Sequence, residues 1–154
     1  MAIPWELKYK YALGGWTSIF KGFMYEIREK YGEAEAIEMY ERLCKRDDRV
    51  KNMTNALKDV FNIEGQDAET IAKWHDIWHE LCGYEYNWLE RSKSIARIKI
   101  TKCPFKLAPK DINDHSLRYE NIVTKTINLK ATVERPKAMC AGNPYCEYVW
   151  KIED

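Results

Sequence analysis

The sequence predicts an α+β domain, a helical N-terminal half packed on a roughly four-stranded antiparallel sheet made of two hairpins. Two observations carry this. Apolar residues recur at three and four through the first half, the period of one helix face, and at two from about residue 84 onward, the period of a half-buried strand. Turn signals then fall between the alternating runs, at Ser92-Lys93-Ser94 and at Gly142-Asn143-Pro144. Helices followed by hairpins bury their apolar faces best as one layer on another. With 154 residues and neither an internal repeat nor a long linker, residues 1–154 are expected to form a single domain.

Residues 1–15 read as an N-terminal arm. Trp5, Leu7, Tyr9 and Tyr11 alternate over residues 1–13, as in a short strand or an arm laid on the body, and Gly14-Gly15 separates it from the helical part. Residues 16–83 form that helical part. Trp16, Phe20, Phe23, Met24, Ile27 and Tyr31 give an amphipathic helix ended by Gly32. Residues 33–46 continue the pattern with Ile37, Tyr40, Leu43 and Cys44, acidic at the start and basic at the end as the helix dipole favours. A third helix runs from about Arg49 to Phe61. A fourth begins at Asp67 as N-cap and stops at Gly83, with Ile71, Trp74, Trp78, Leu81 and Cys82 on its buried face.

Residues 84–154 are mostly sheet. Tyr84, Tyr86 and Trp88 alternate, as do Ala96, Ile98 and Ile100, and Cys103-Pro104 closes this hairpin. Residues 105–116 read as loop and 116–126 as a short helix. Leu129, Ala131 and Val133 open the next strand, where Pro136 demands an edge position or a bulge. Cys146, Tyr148 and Trp150 alternate in the last strand.

Composition excludes several classes. Net charge is +1 with basic residues spread along the chain, so there is no footprint for nucleic acid. No apolar run nears the roughly 18 residues that span a membrane. The N-terminus lacks the pattern of a secretory signal, so a cytoplasmic location is expected. Five cysteines, an odd count, point to reduced thiols instead of a disulfide framework.

Three groups of residues carry candidate chemistry. Cys103, Cys140 and Cys146 each fall at the end of an expected strand, and three thiolates with one more ligand such as His79 would hold zinc or iron. The spacing contains no C-x2-C, and cysteine also serves as a small buried hydrophobe. His75 and His79 lie one turn apart on the fourth helix, with Cys82 on the same side. They suit proton transfer or ligand positioning, or are core-edge histidines bonded to backbone. Trp74, Trp78, Tyr86, Trp88 and Tyr148, with Tyr84 and Trp150, would wall a cavity between helix and sheet, or simply fill the core. No acidic pair stands out as general acid and base.

The run Cys140-Ala141-Gly142-Asn143-Pro144-Tyr145-Cys146-Glu147-Tyr148 resembles the closing motif of 4-vinyl-reductase domains, C-x-x-G-(D/N)-x-x-C-x-(F/Y), with a first spacer one residue shorter. Together with Ile100-Thr101-Lys102-Cys103-Pro104-Phe105, it also resembles the L-2-amino-thiazoline-4-carboxylic acid hydrolase family. The resemblance implies an α+β small-ligand domain. The first family implies binding of hydrophobic small molecules, sometimes with a cysteine-held structural zinc. The second implies a hydrolase opening a small C–N or C–S ring; in that reading His75 or His79, from their place on the fourth helix, would transfer the proton and Cys103 or Cys146 would be a nucleophile or metal ligand. Residues 105–139 contain no cysteine, where many relatives have one. A small-molecule-binding domain is therefore the primary expectation and the hydrolase the alternative. A structural or partner-binding subunit, for instance a homodimer using the Trp-rich N-terminal residues, is the third.

Overall fold

A computed structural model describes residues 4–104 and 113–153. Helix α1 (Trp5–Tyr31) is followed by α2 (Glu33–Lys45), α3 (Arg49–Val60) and α4 (Ala68–Cys82). Strands β1 (Glu85–Arg91) and β2 (Ile95–Lys102) come next, then helix α5 (Asn113–Ile127) and strands β3 (Ala131–Lys137) and β4 (Cys146–Ile152). The four strands form one antiparallel sheet in the order β1-β2-β4-β3, so the two hairpins are joined by pairing of β2 with β4. This is the α+β architecture the sequence predicts. No helix among the described residues is long and apolar enough to cross a membrane.

The expected arm is a correction. Trp5 through Tyr31 is one continuous helix that passes through Gly14-Gly15 without a break. Alternation and helical spacing share Trp5 and Tyr9, and these two rings pack one turn apart at 6.0 Å. Glycine weakens a helix but leaves its N–H donor in place, so two glycines do not stop it as proline would. Gly32, at φ 88°, ends α1 and leads into α2, and Met24, Ile27 and Ala36 form a small core between the two helices with Phe20, Met39 and Tyr40.

Helix α4 is fixed at both ends. The Asp67 carboxylate accepts from the Thr70 backbone N–H and from its hydroxyl, both at 2.8 Å. At the other end Gly83 adopts the left-handed conformation, and the Tyr84 N–H returns to the His79 carbonyl at 2.9 Å. The main core lies between α3, α4 and α5 and the inner face of the sheet, and includes Ile71, Trp74, Ala96, Ile98, Val123, Ile127, Tyr148 and Trp150.

Pro136 lies on edge strand β3, where the register with β4 shifts between Glu134 and Lys137, so both accommodations for proline are used. Helix α5 begins at Asn113, within the segment expected to be loop, and the rest of that segment, residues 105–112, lies outside the described residues. Cys140 does not end a strand. It lies in a short 3-10 turn, Met139–Ala141, closed by Gly142 at φ 88°. The Asn143 side chain, which accepts from the Ala138 N–H at 3.0 Å, holds this turn.

Candidate functional site

Helix α4 lays Trp74, His75 and His79 against the sheet because they fall on its inward face together with Ile71 and Cys82, all of them buried. The His75 ring packs on Trp150 of β4 with centroids 4.3 Å apart and on His79 at 5.3 Å. His79 in turn meets Tyr84 at 4.7 Å and Tyr86 at 5.0 Å. Trp88 reaches Trp150 at 6.0 Å, and Tyr148 stacks on it at 5.8 Å. These aromatic rings thus pack as one wall between α4 and the sheet as part of the core, with the two histidines among them.

Asp76 on α4 locks this wall. Its Oδ1 accepts from the Tyr86 hydroxyl at 3.0 Å and the Trp88 indole N–H at 2.7 Å, while its Oδ2 accepts from Arg91 at 2.7 Å. Arg91 also reaches Glu69, its Nε at 2.9 Å from Oε2. Tyr86 and Trp88 therefore offer their ring faces, their polar atoms being already engaged. Trp74 is likewise committed, its indole N–H bonded to the Thr54 carbonyl at 3.3 Å, and Trp78 stacks on it at 5.7 Å.

The histidine cluster is different. His75 Nδ1 and Nε2, His79 Nδ1, Glu120 Oε2 and Trp150 Nε1 are buried with no hydrogen-bond partner among the described residues. Glu120, on α5, brings Oε2 within 3.3 Å of His75 Nε2, close to but outside good hydrogen-bond geometry, with its side chain 12% exposed. Burial sets the protonation of all three. It lowers His75 well below its ordinary value, helped by neighbouring His79. It pulls His79 down to about 4, against the attraction of Asp76. It pushes Glu120 up to about 8, only partly offset by Arg135. Near pH 7 the cluster therefore holds two neutral imidazoles beside a protonated carboxyl group. Such a site offers both donors and acceptors and no charge, so it suits a neutral polar group better than an anion.

The cysteines adjoin this cluster, since Tyr84, which packs on His79, also feels Cys103 and Cys82. Cys82, Cys103, Cys140 and Cys146 are not in disulfides. Burial pushes Cys82 up to about 12, with Cys103 and Glu120 adding to the rise. Cys146 is also raised by burial, and again by Cys140 and Cys103, although its sulfur accepts from the Met139 N–H at 3.2 Å. The thiols are close enough to feel one another. Even so, among the described residues no group of three or more His, Cys, Asp or Glu is arranged to hold a metal ion. The set Cys103, Cys140, Cys146 and His79 is not among such groups.

Sequence reasoning missed Asp76 and Glu120. A signal for Glu120 was present: it falls three residues after Leu117 and three before Val123, on the side of α5 that faces the core. An acidic residue at an apolar-face position is the mark of a buried carboxyl.

No family model and no curated protein matches the chain. Among solved structures, the chain is similar to trafficking protein particle complex subunit 3 from Naegleria fowleri, covalently bound to palmitic acid. The TM-score is 0.70 at 9% identity, covering 94% of this chain and 97% of that one. It is also similar to the phenol-responsive sensory domain of the transcription activator PoxR, solved with phenol, at a TM-score of 0.61 and 12% identity, covering 88% and 74%. At these identities the likeness shows a shared fold, a small α+β domain.

Proposed function

We propose that this chain is a small-molecule-binding domain whose ligand has an aromatic or apolar body and a neutral polar group, and docks against His75, His79, Glu120 and Trp150. The carrying observation is the concentration of buried, unpartnered polar atoms in one aromatic-walled cluster between α4, α5 and β4. Each such atom costs about 1–3 kcal/mol when left unmet. A ligand hydroxyl, which donates once and accepts as well, would satisfy two or more of them. The faces of Trp88 and Tyr86, held by Asp76, would flank its apolar body. One structural neighbour carries a phenol and the other a covalent palmitate, so this fold accommodates small and long apolar ligands in other proteins. The uncharged His–Glu cluster favours the phenol-like class here.

The hydrolase alternative has less support. A nucleophilic cysteine has a lowered pKa, whereas burial raises the thiol of Cys146.

Titration calorimetry with a panel of phenols, cyclic alcohols and fatty acids tests the proposal. A phenol or cyclic alcohol is expected to bind the wild type and to bind His75→Phe and Trp150→Phe at least roughly tenfold more weakly, the loss of one buried hydrogen bond. Equal binding to all three proteins would overturn the site. Heat from fatty acids alone would replace the ligand class.

A further inference from the structure

Helix α1 carries more apolar surface than its own chain covers. Its contact with α2 uses Phe20, Met24 and Ile27. On the adjoining flank Trp5, Trp16, Ile19 and Phe23 are 71%, 72%, 65% and 62% exposed. With half-buried Tyr9 and exposed Ala12, these residues step by four and three along the helix, from Trp5 through Tyr9, Ala12, Trp16 and Ile19 to Phe23. That 3.5-residue period is the seam of a helix made to pack along another helix.

We propose that this seam pairs with the same helix of a second copy of the chain, antiparallel, about a two-fold axis near Ser18. Self-complementarity selects this occupant. In that register Trp16 meets Ile19 of the other copy and Phe23 meets Ala12, so large side chains face smaller ones in the middle of the seam, while Tyr9 and Trp5 come opposite Glu26 and Lys30 at its ends. The flanking positions, which pair with their own kind in an antiparallel coil, are Lys8, Gly15, Gly22 and Glu29. The same register sets Lys8 opposite Glu29 and Gly15 opposite Gly22. Opposite charges thus close both ends, and two glycines let the backbones approach in the middle. A Cβ built on Gly15 or Gly22 meets nothing within 4 Å in the single chain, so neither glycine is required by its own fold. Glycine is unfavourable in a helix interior, and close approach of a second helix accounts for two at this heptad spacing.

Sedimentation equilibrium on the full chain tests this, with circular dichroism confirming that each variant keeps its helix content. The wild type is expected to be a dimer at micromolar concentration. Trp16→Glu, an exposed substitution, is expected to weaken dimerisation by roughly 30-fold or more, as for a central interface anchor. Lys8→Glu and Glu29→Lys alone are each expected to weaken it by about fivefold at low salt, and the double swap Lys8→Glu/Glu29→Lys to restore it. A monomeric wild type at about 100 μM, far above the Kd of a specific interface, or a dimer indifferent to Trp16→Glu, would overturn the interface. A double swap no better than the single swaps would overturn the antiparallel register.

Discussion

Two clusters on helix α4, one residue apart in sequence, are built on opposite principles. Around Asp76 every carboxylate oxygen is engaged: Tyr86 and Trp88 donate to one and Arg91 to the other. Around His75 and His79, both His75 nitrogens, His79 Nδ1, Glu120 Oε2 and Trp150 Nε1 are buried without a hydrogen-bond partner among the described residues. The first arrangement stabilises the fold by pinning β1 to α4. The second costs stability, which a bound molecule would return. Removing polar groups should therefore have opposite signs at the two places, and this contrast separates a structural cluster from a binding one.

The largest effect is expected at Asp76. Asp76→Ala leaves the Trp88 indole and the Tyr86 hydroxyl without their acceptor and should destabilise the protein by about 2–3 kcal/mol in urea unfolding. His75→Phe should do the reverse in the absence of ligand, gaining about 1–2 kcal/mol because two unmet nitrogens disappear while the ring contact with Trp150 is kept. Destabilisation by His75→Phe would place the histidine among the structural groups.

The pH dependence of stability sharpens the same contrast. His75 and His79 titrate lower in the fold than unfolded, so the stability they contribute is present above about pH 6.5 and lost as pH falls toward 4. Glu120 titrates higher, at about 8 against an ordinary 4.5, so its contribution is present below pH 4.5 and lost as pH rises through 8. Between pH 4.5 and 6.5 two histidines outweigh one carboxyl, and above 6.5 only the carboxyl acts. These groups together place the maximum near pH 6.5, with a slope of roughly 1 kcal/mol per pH unit on either side. In Glu120→Gln the decline between pH 6.5 and 8 should disappear from thermal unfolding curves. Its persistence would mean that Glu120 is ionised in the fold.

The smallest effect is expected at Gly65, in the loop before α4. With φ at +102° and a built Cβ only 2.6 Å from the Thr70 hydroxyl, Gly65→Ala should cost about 1 kcal/mol or slightly more and loosen the Asp67–Thr70 cap. Ligand affinity should change only weakly, because the cap lies at the far end of α4 from His79.

What the sequence revealed was whatever rests on local rules. Asp67 and Gly83 bound α4 because a cap and a left-handed glycine act within one turn, and Pro136 announced an edge with a shifted register for an equally local reason. The histidine face and the aromatic wall were legible too, since helical and strand periods place their residues. The misreading of residues 1–13 arose where two periods coincide at Trp5 and Tyr9, leaving tertiary context to decide. The Asp76 latch and the Glu120 approach join residues far apart in the chain, 12 positions for Trp88 to Asp76 and 45 for His75 to Glu120, and no local pattern pairs them.

The most direct test of the proposed binding site tracks the indole N–H signals of a 15N-labelled sample during titration with a phenol. The chain has six tryptophans. A saturable shift of the Trp150 signal is expected as its unmet donor finds a partner, with smaller changes at Trp74 and Trp88, whose donors are already engaged by Thr54 and Asp76. A titration in which Trp150 stays fixed while the exposed Trp5 or Trp16 signals move would contradict it.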